Sequence, residues 1–190
     1  MFIRKARRED SNIIAPYIML AMNEILHQFI GENSPEKALS LLETLIRKKG
    51  NQYSYENCWV AEQDNALIAA AIVYDGARLE ELRQPVGEEI RRLFNRSFNP
   101  ENETGAGEFY IDSVAVHPGQ QGKGIGSIML RFLINEYVNN RNKTLGLLVD
   151  KDNPQAKKLY LRLGFVPVGE KTLAGKSMEH LQCRTLHSPG

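Results

Sequence analysis

Hydrophobic residues recur along the chain in two periods, one typical of strands and one typical of helices. Seven short runs rich in β-prone residues predict strands, and four segments with apolar residues at i, i+3 and i+4 predict helices. The predicted strands are Phe2–Ala6, Cys58–Glu62, Ala66–Tyr74, Glu108–Val116, Lys143–Val149, Phe165–Val168 and Lys176–Arg184. The predicted helices are one that begins at Asp10 or Ser11, one from Pro35 to Gly50, one from Gly124 to Val138 and one from Asn153 to Leu163.

The order of these elements indicates a fold of the α/β class (mixed α+β). The chain has 190 residues, which is enough for one well-packed core, and it contains no repeats or low-complexity segments. We therefore predict a single domain over residues 1–185, followed by a frayed tail at residues 186–190.

Residues 75–107 interrupt this rhythm between the third and fourth predicted strands. The segment contains prolines and glycines around one short amphipathic stretch, Glu88–Phe98. We predict a long loop or a helical insertion here. Loops of such length in compact domains are usually functional or disordered. The residues that break the pattern are Pro85, Gly87, Pro100, Gly105 and Gly107.

Charge and cysteine content argue against several classes of partner. Lys and Arg total 24 against 23 Asp and Glu, so the net charge of +1 gives no electrostatic reason to expect a nucleic acid or a membrane surface. No run approaches the roughly 18 consecutive apolar residues of a transmembrane helix, and the N-terminus lacks an apolar run of signal-peptide length. Cys58 and Cys183 lie far apart and the histidines form no ligand pair, so we expect reduced thiols and no metal site. These features predict a cytoplasmic protein.

The most informative segment is residues 111–127, where a buried strand leads through a glycine-rich turn into an amphipathic helix. Glycines let the backbone approach a ligand closely, and the first N–H groups of a helix have no partners within it, so the arrangement suits a phosphate or pyrophosphate. It is not a P-loop, because Ile125 and Gly126 follow Gly124 where Lys and Ser or Thr are required. It is not the dinucleotide fingerprint either, because Met129 occupies the last glycine position. The alternative is a tight turn without a ligand.

Two motifs resemble the signatures of the GCN5-related N-acetyltransferase (GNAT) superfamily. Residues Gln121–Gly126 (QGKGIG) are similar to its acetyl-CoA pyrophosphate loop, Q/R-x-x-G-x-G/A, and Val114–Pro118 is similar to the strand and turn before that loop. Residues Asn153–Phe165 resemble the second signature, N-x-x-A-x-x-x-Y-x-x-x-G-F. Ile3–Asp10 also resembles the start of a GNAT domain. The resemblance therefore covers nearly the whole chain and is weakest over residues 75–107.

The resemblance implies a central, mixed and twisted sheet of about six to seven strands, splayed between strands 4 and 5 and flanked by about four helices. It also implies acetyl-CoA as co-substrate, with the pantetheine arm paired to strand 4 in the splay and the pyrophosphate held by the glycine loop. For Lys157 the alternative is a solvated position on an exposed face. The implied cofactor-binding residues are Val114, Ala115, Val116, Gln121, Gly122, Lys123, Gly124, Ile125, Gly126, Ser127, Asn153 and Lys157.

The resemblance further implies direct attack of a neutral amine on the acetyl thioester, without a covalent acyl-enzyme. Tyr160 matches the signature tyrosine and is the candidate general acid, since a phenol with a pKa near 10 can protonate a thiolate. The alternative is that it only packs its helix onto the sheet. Asp112 is the candidate general base, with Glu108 as the second choice; the alternative for Asp112 is a structural pair or an ammonium-binding role. His117 is expected to be a turn residue. Strand alternation predicts one shared face for Glu108, Tyr110, Asp112, Val114 and Val116.

We therefore expect an N-acetyltransferase that transfers the acetyl group of acetyl-CoA to a primary amine of a small molecule. The insertion at residues 75–107 has mixed charge, whereas a binder of basic protein tails is expected to carry an acidic excess. This insertion would either cover the cleft as a lid or pack only against the side of the domain or against a partner subunit. The alternatives are a protein N-terminal or lysine acetyltransferase and a non-catalytic CoA-binding regulatory module. A homodimer is left open.

Overall fold

A computed structural model describes residues 1–185, so the predicted frayed tail at residues 186–190 lies outside the described residues. Within residues 1–185 the chain forms seven β-strands and five α-helices. The strands are β1 (Phe2–Lys5), β2 (Cys58–Gln63), β3 (Ala66–Asp75), β4 (Phe109–Val116), β5 (Leu145–Asp150), β6 (Val166–Leu173) and β7 (Lys176–Cys183). The helices are α1 (Ser11–Ile30), α2 (Pro35–Arg47), α3 (Leu79–Phe94), α4 (Ile125–Leu133) and α5 (Pro154–Arg162).

The strands form one sheet in the order β1-β2-β3-β4-β5-β7-β6. Every neighbouring pair is antiparallel except β4 and β5, which run parallel. These two strands pair only over residues 109–111 and 145–147, although β4 continues to Val116 and β5 to Asp150. The sheet therefore opens between its fourth and fifth strands, which confirms the predicted mixed sheet and its splay.

Each face of the sheet carries its own hydrophobic core. Helices α1, α2 and α3 cover one face, and α4 and α5 cover the other. The segment Arg8–Ile30 is, by its length and composition alone, long and apolar enough to cross a membrane. Its side chains Ile14, Ile18 and Leu26 are nevertheless completely buried in the first core. The apolar stripe of α1 is therefore used for packing against the sheet.

The insertion at residues 75–107 contains a longer helix than the sequence pattern predicts. We predicted a short stretch at Glu88–Phe98, whereas α3 spans Leu79–Phe94 and includes Pro85. A proline inside a helix removes one backbone hydrogen bond and costs about 3 kcal/mol. Here the burial of Leu82, Val86 and Ile90 against the sheet and its neighbouring helices offsets that cost. Helix α3 is thus part of the first core.

The last hairpin is also longer than predicted. The predicted sixth strand ends at Val168, whereas β6 continues to Leu173 and pairs with β7 along its length. A two-residue turn at Ala174 and Gly175, both with positive φ, joins the two strands. Most of β6 is solvent-exposed, so this part of the chain lacks the apolar alternation that would have revealed it.

Candidate active site

A β-bulge at Asp112 shapes the centre of β4. Ile72 of β3 lies opposite Ser113 and the next residue, Val73, lies opposite Ile111, so Asp112 is an extra residue without a partner in the ladder. The bulge reverses the side-chain alternation beyond this point. Our prediction of one shared face was therefore wrong. Tyr110 faces the α1–α3 core together with Ala115, whereas Val114 and Val116 pack against the α4–α5 core.

Asp112 lines a cavity of about 180 Å³ between the sheet, α1 and the segment that follows α3. We call this cavity the inner chamber. The Oδ2 atom of Asp112 is buried and has no hydrogen-bond partner among residues 1–185. Burial and the nearby carboxylate of Glu103 raise the pKa of Asp112 to about 8, and the guanidinium of Arg83 offsets part of this effect. The remaining lining is mostly apolar or aromatic and includes Met22, Ile25, Phe29, Tyr53, Phe98, Tyr110, Leu148, Leu173 and Met178.

The inner chamber contains a second carboxylate that the sequence analysis missed. Glu103 is buried and accepts hydrogen bonds from Tyr74 Oη at 2.7 Å and from Gln52 Nε2 at 3.3 Å. It also forms a salt bridge with Arg83, a residue of α3. Isolated charged residues in a segment of mixed charge carry no local signal of burial, so only the fold brings this pair to Asp112.

A wider space, about 440 Å³, adjoins the inner chamber and shares its lining residues Met22 and Met178. We call it the outer vestibule. It lies between α1 and the β6–β7 hairpin, and Lys176 sits 2.9 Å from Glu24 and 3.9 Å from Asp150 there. The vestibule and the inner chamber therefore lie side by side on the α1 face of the sheet.

Glu108, our second choice for the base, is held in a different environment. Its carboxylate accepts hydrogen bonds from His180 Nε2 at 2.8 Å, Gln182 Nε2 at 2.7 Å and Thr104 Oγ1 at 2.7 Å. Burial opposes its ionisation, but the bonds from His180, Thr104 and Gln182 together lower the pKa of Glu108 below its ordinary value. A carboxylate engaged in this way is a weak proton acceptor.

The edge of β4 that faces the splay carries backbone groups that point away from β3. The N–H of His117 donates to Ile68 of β3 at 2.9 Å. Because backbone groups point alternately to the two sides of a strand, Val116 and Val114 direct theirs away from β3, toward the splay. The side chain of Gln121 already donates to the carbonyl of Val116 at 3.2 Å. Ala115, in contrast, turns its backbone toward β3, so the structure does not bring its backbone to this edge.

The glycine loop connects the end of β4 to the start of α4. Gly122 and Gly124 have φ values of 76° and 78°, a left-handed conformation that side chains other than glycine's rarely adopt. No side chain caps α4 within the described residues, so the N–H groups of Ile125, Gly126 and Ser127 keep their hydrogen-bonding capacity. Lys123 binds Gln120 at 2.9 Å on the exposed side of the loop. Free donors at a helix N-terminus suit an anion such as a pyrophosphate.

An open groove of about 880 Å³ continues from this loop along α5. Ser127 and Asn153 both line it, so the structure brings these two predicted residues together. The Oδ1 atom of Asn153 also caps α5 by accepting from the N–H of Ala156 at 3.1 Å. Lys157 does not line this groove; it forms a salt bridge of 2.8 Å with Glu179 of β7, and Lys158 lines the groove instead.

Tyr160 lies on the opposite face of the sheet from Asp112. Its ring packs against Phe165 at a centroid distance of 6.0 Å and against the α4–α5 core. Burial raises the pKa of Tyr160, so its phenol keeps its proton at neutral pH. The structure therefore places the two predicted catalytic residues on different faces of the sheet.

His117 and Cys58 have structural roles. His117 is a turn residue, because its Nδ1 accepts from the N–H of Gly119 at 3.0 Å and its ring packs edge-on against Tyr17. Cys58 is fully buried, and burial raises the pKa of its thiol to about 12. A thiol that stays protonated is not a nucleophile.

Several solved structures resemble this chain. An acetyltransferase is 29% identical with a TM-score of 0.80, covering 97% of this chain and 99% of that one. An N-acetyltransferase from Staphylococcus aureus Mu50 is 23% identical with a TM-score of 0.83, covering 96% and 100%. A spermidine N-acetyltransferase from Vibrio cholerae is 18% identical with a TM-score of 0.56, covering 97% and 95%.

The comparison with curated proteins found no match. The model of the family described as "Acetyltransferase (GNAT) family" matches residues 20–165. This range includes the bulged strand, the glycine loop and the helix that carries Tyr160. The matched range spans well over half of the chain. The protein therefore belongs to the GNAT family of acetyltransferases.

Proposed function

We propose that this protein is an acetyl-CoA-dependent N-acetyltransferase that acts on a primary amine of a small molecule. The observation that carries this proposal is the position of Asp112. Its Oδ2 atom is buried, lacks a partner among the described residues and faces a small chamber beside the splay. Such a carboxylate in an apolar site costs free energy unless it serves a ligand or a reaction.

Asp112 is suited to remove the proton from a substrate ammonium. A general base works best when its pKa lies near the operating pH, and the pKa of Asp112 is raised to about 8. The carboxylate first pairs with the ammonium and then accepts its proton. The resulting amine forms a new N–C bond with the acetyl carbon while the C–S bond of the thioester breaks.

The remaining residues hold acetyl-CoA, which supplies the acetyl thioester when bound. The free N–H groups at residues 125–127 are suited to the pyrophosphate, and the backbone of Val114 at the splay is suited to the pantetheine arm. Ser127 and Asn153 line the groove available to the rest of the molecule. Tyr160 provides the proton for the departing sulfur, because its phenol remains protonated at neutral pH.

The dimensions of the inner chamber support a small acceptor. A dry, apolar cavity of about 150 Å³ accommodates a benzene molecule, and the inner chamber measures about 180 Å³. A compact amine fits this space. The name of one structural neighbour, a spermidine N-acetyltransferase, also supports a small amine as the acceptor class.

The experiment that tests the proposal is a thiol-release assay with acetyl-CoA and a panel of amines. We expect amine-dependent release of CoA for at least one small primary amine. A protein that binds acetyl-CoA by calorimetry but releases no CoA above background with any acceptor would be a binding module. Peptides with a free N-terminus or lysine that outperform every small amine would identify a protein acetyltransferase instead.

A further inference from the structure

Three buried polar atoms in the inner chamber lack hydrogen-bond partners. They are Gln52 Oε1, Arg83 Nε and Asp112 Oδ2, and all three residues line the same cavity. In the described part of the chain only two other buried side-chain atoms share this property, and neither lines the chamber. Buried polar groups are normally paired, so a cluster of unpaired ones marks the place where a ligand completes the bonding.

The chemistry of each atom follows from its neighbours. Glu103 can only accept, so the amide end of Gln52 that contacts it at 3.3 Å must be the NH₂ group, and Oε1 is left as a free acceptor. Asp112 Oδ2 is a second free acceptor. Arg83 Nε is a donor only, because a guanidinium cannot accept.

The other nitrogens of Arg83 are already occupied. Its Nη1 donates to the carbonyl of Pro100 at 3.1 Å and to Asn102 Oδ1 at 2.8 Å. Its Nη2 donates to the carbonyl of Glu101 at 3.0 Å and pairs with Glu103. The guanidinium is thus fixed in place, and Nε is its one donor without a partner among the described residues.

From this arrangement, and resting on the proposed function, we infer that the acceptor substrate is a compact primary amine with an uncharged oxygen close to the amino group, as in a β-amino alcohol. The ammonium donates to Asp112 and Gln52, and the oxygen accepts from Arg83. The apolar part of the molecule packs against chamber residues such as Met22 and Phe98.

The charges in the chamber argue against two related classes of acceptor. The single cation among the chamber's lining residues, Arg83, is already paired with Glu103, so no free cation in the lining is left for a substrate carboxylate, which would lie beside the carboxyl groups of Asp112 and Glu103. An amino acid is therefore a poorer acceptor than the corresponding amino alcohol. A simple alkylamine or polyamine has the ammonium but leaves Arg83 Nε without a partner, which costs free energy in a buried site.

Leucinol, isopentylamine, leucine and spermidine test this inference as acceptors. Leucinol, isopentylamine and leucine share a branched apolar body. Leucinol carries a hydroxyl group, leucine carries a carboxylate, and isopentylamine has no oxygen. We expect leucinol to exceed isopentylamine by at least about tenfold in kcat/KM, since a hydrogen bond to a charged donor is at stake. Leucine and spermidine should be poorer than leucinol by a similar factor.

The variant Arg83→Lys keeps a cation beside Glu103 but removes the Nε donor. We expect it to reduce the preference for leucinol over isopentylamine to less than about threefold. The matched control is Gln84→Leu, a change on the exposed side of the same helix, which should preserve the preference. Circular dichroism and the Tm of each variant establish that it is folded.

A binding measurement separates failure of this inference from failure of the proposed function. Each amine is titrated into the CoA-bound protein by calorimetry. Tighter binding of leucinol than of isopentylamine, lost in Arg83→Lys, supports the inference even if no acetyl transfer occurs. Equal binding of the two amines, absence of binding, or a preference that survives Arg83→Lys overturns it, whether or not the protein acetylates amines.

Discussion

The substitution Asp112→Asn is expected to stabilise the protein at neutral pH while it lowers the proposed acetyltransferase activity. The pKa of Asp112 is raised to about 8 in the folded protein, whereas an aspartate in an unfolded chain has a pKa near 3.9. Between these values the folded state holds one more proton than the unfolded state. The free energy of unfolding therefore falls as the pH rises from about 4 to about 8.

The size of the effect follows from the same linkage. Each pH unit in this window lowers the free energy of unfolding by about 1.4 kcal/mol. The proton that only the folded state retains on Asp112 therefore makes the protein less stable at pH 7 than at pH 5 by up to about 2.7 kcal/mol. This is a ceiling, because Asp112 is partly exposed to the chamber and water screens its charge. Asparagine has nearly the same shape and does not titrate. The stability gained by Asp112→Asn should accordingly grow between pH 5 and pH 7.

Urea denaturation of the wild type and the variant at both pH values measures this change. All other titrating groups are common to the two proteins, so the difference isolates Asp112 and its interaction with Glu103 and Arg83. The control is Asp64→Asn at the exposed turn between β2 and β3, which should show no such trend. A stability difference that is equal at pH 5 and pH 7 would refute the raised pKa.

The kinetic part of this prediction uses the same two proteins. We expect Asp112→Asn to lower kcat/KM by about 10²–10⁴, the usual contribution of a general base. The logarithm of kcat/KM for the wild type should rise with pH and level off above about pH 8, the pKa of Asp112, as this carboxyl group becomes ionised. Because both proteins use the same amine, the ratio of their rates cancels the titration of the substrate. A ratio that does not change with pH would place the base elsewhere.

Three further substitutions test the rest of the site and the fold. Tyr160→Phe should lower kcat by about 10² with little change in acetyl-CoA affinity, and an unchanged kcat would exclude the phenol as the acid. Gly124→Val should raise the acetyl-CoA Kd at least about tenfold, because valine is strained at a φ of 78°; unchanged affinity by calorimetry would contradict the role of the loop. Ile90→Ala should cost about 2–5 kcal/mol in urea unfolding because the side chain is completely buried, whereas a mobile lid would lose almost nothing.

The sequence by itself determined the parts of this protein that depend on neighbouring residues. The turn between β2 and β3 follows from Asp64 and Asn65, which both take the positive φ that a two-residue hairpin requires. The glycine loop before α4 and the cap of α5 at Asn153 are equally local, since each is defined by the conformation and hydrogen bonds of a few consecutive residues. Such features are visible in the sequence because the interactions that produce them span only a few positions.

The tertiary structure alone decided the identity and state of the groups around the reacting centre. The bulge at Asp112 depends on the register between β3 and β4, and the network of Glu108 depends on His180, which is 72 residues away. The pair Arg83–Glu103 reaches the chamber only because α3 packs into the core. The pKa of Asp112 is in turn set by burial and by these distant charges. No local pattern encodes such contacts, because they form only when chain segments far apart in the sequence are brought together by packing.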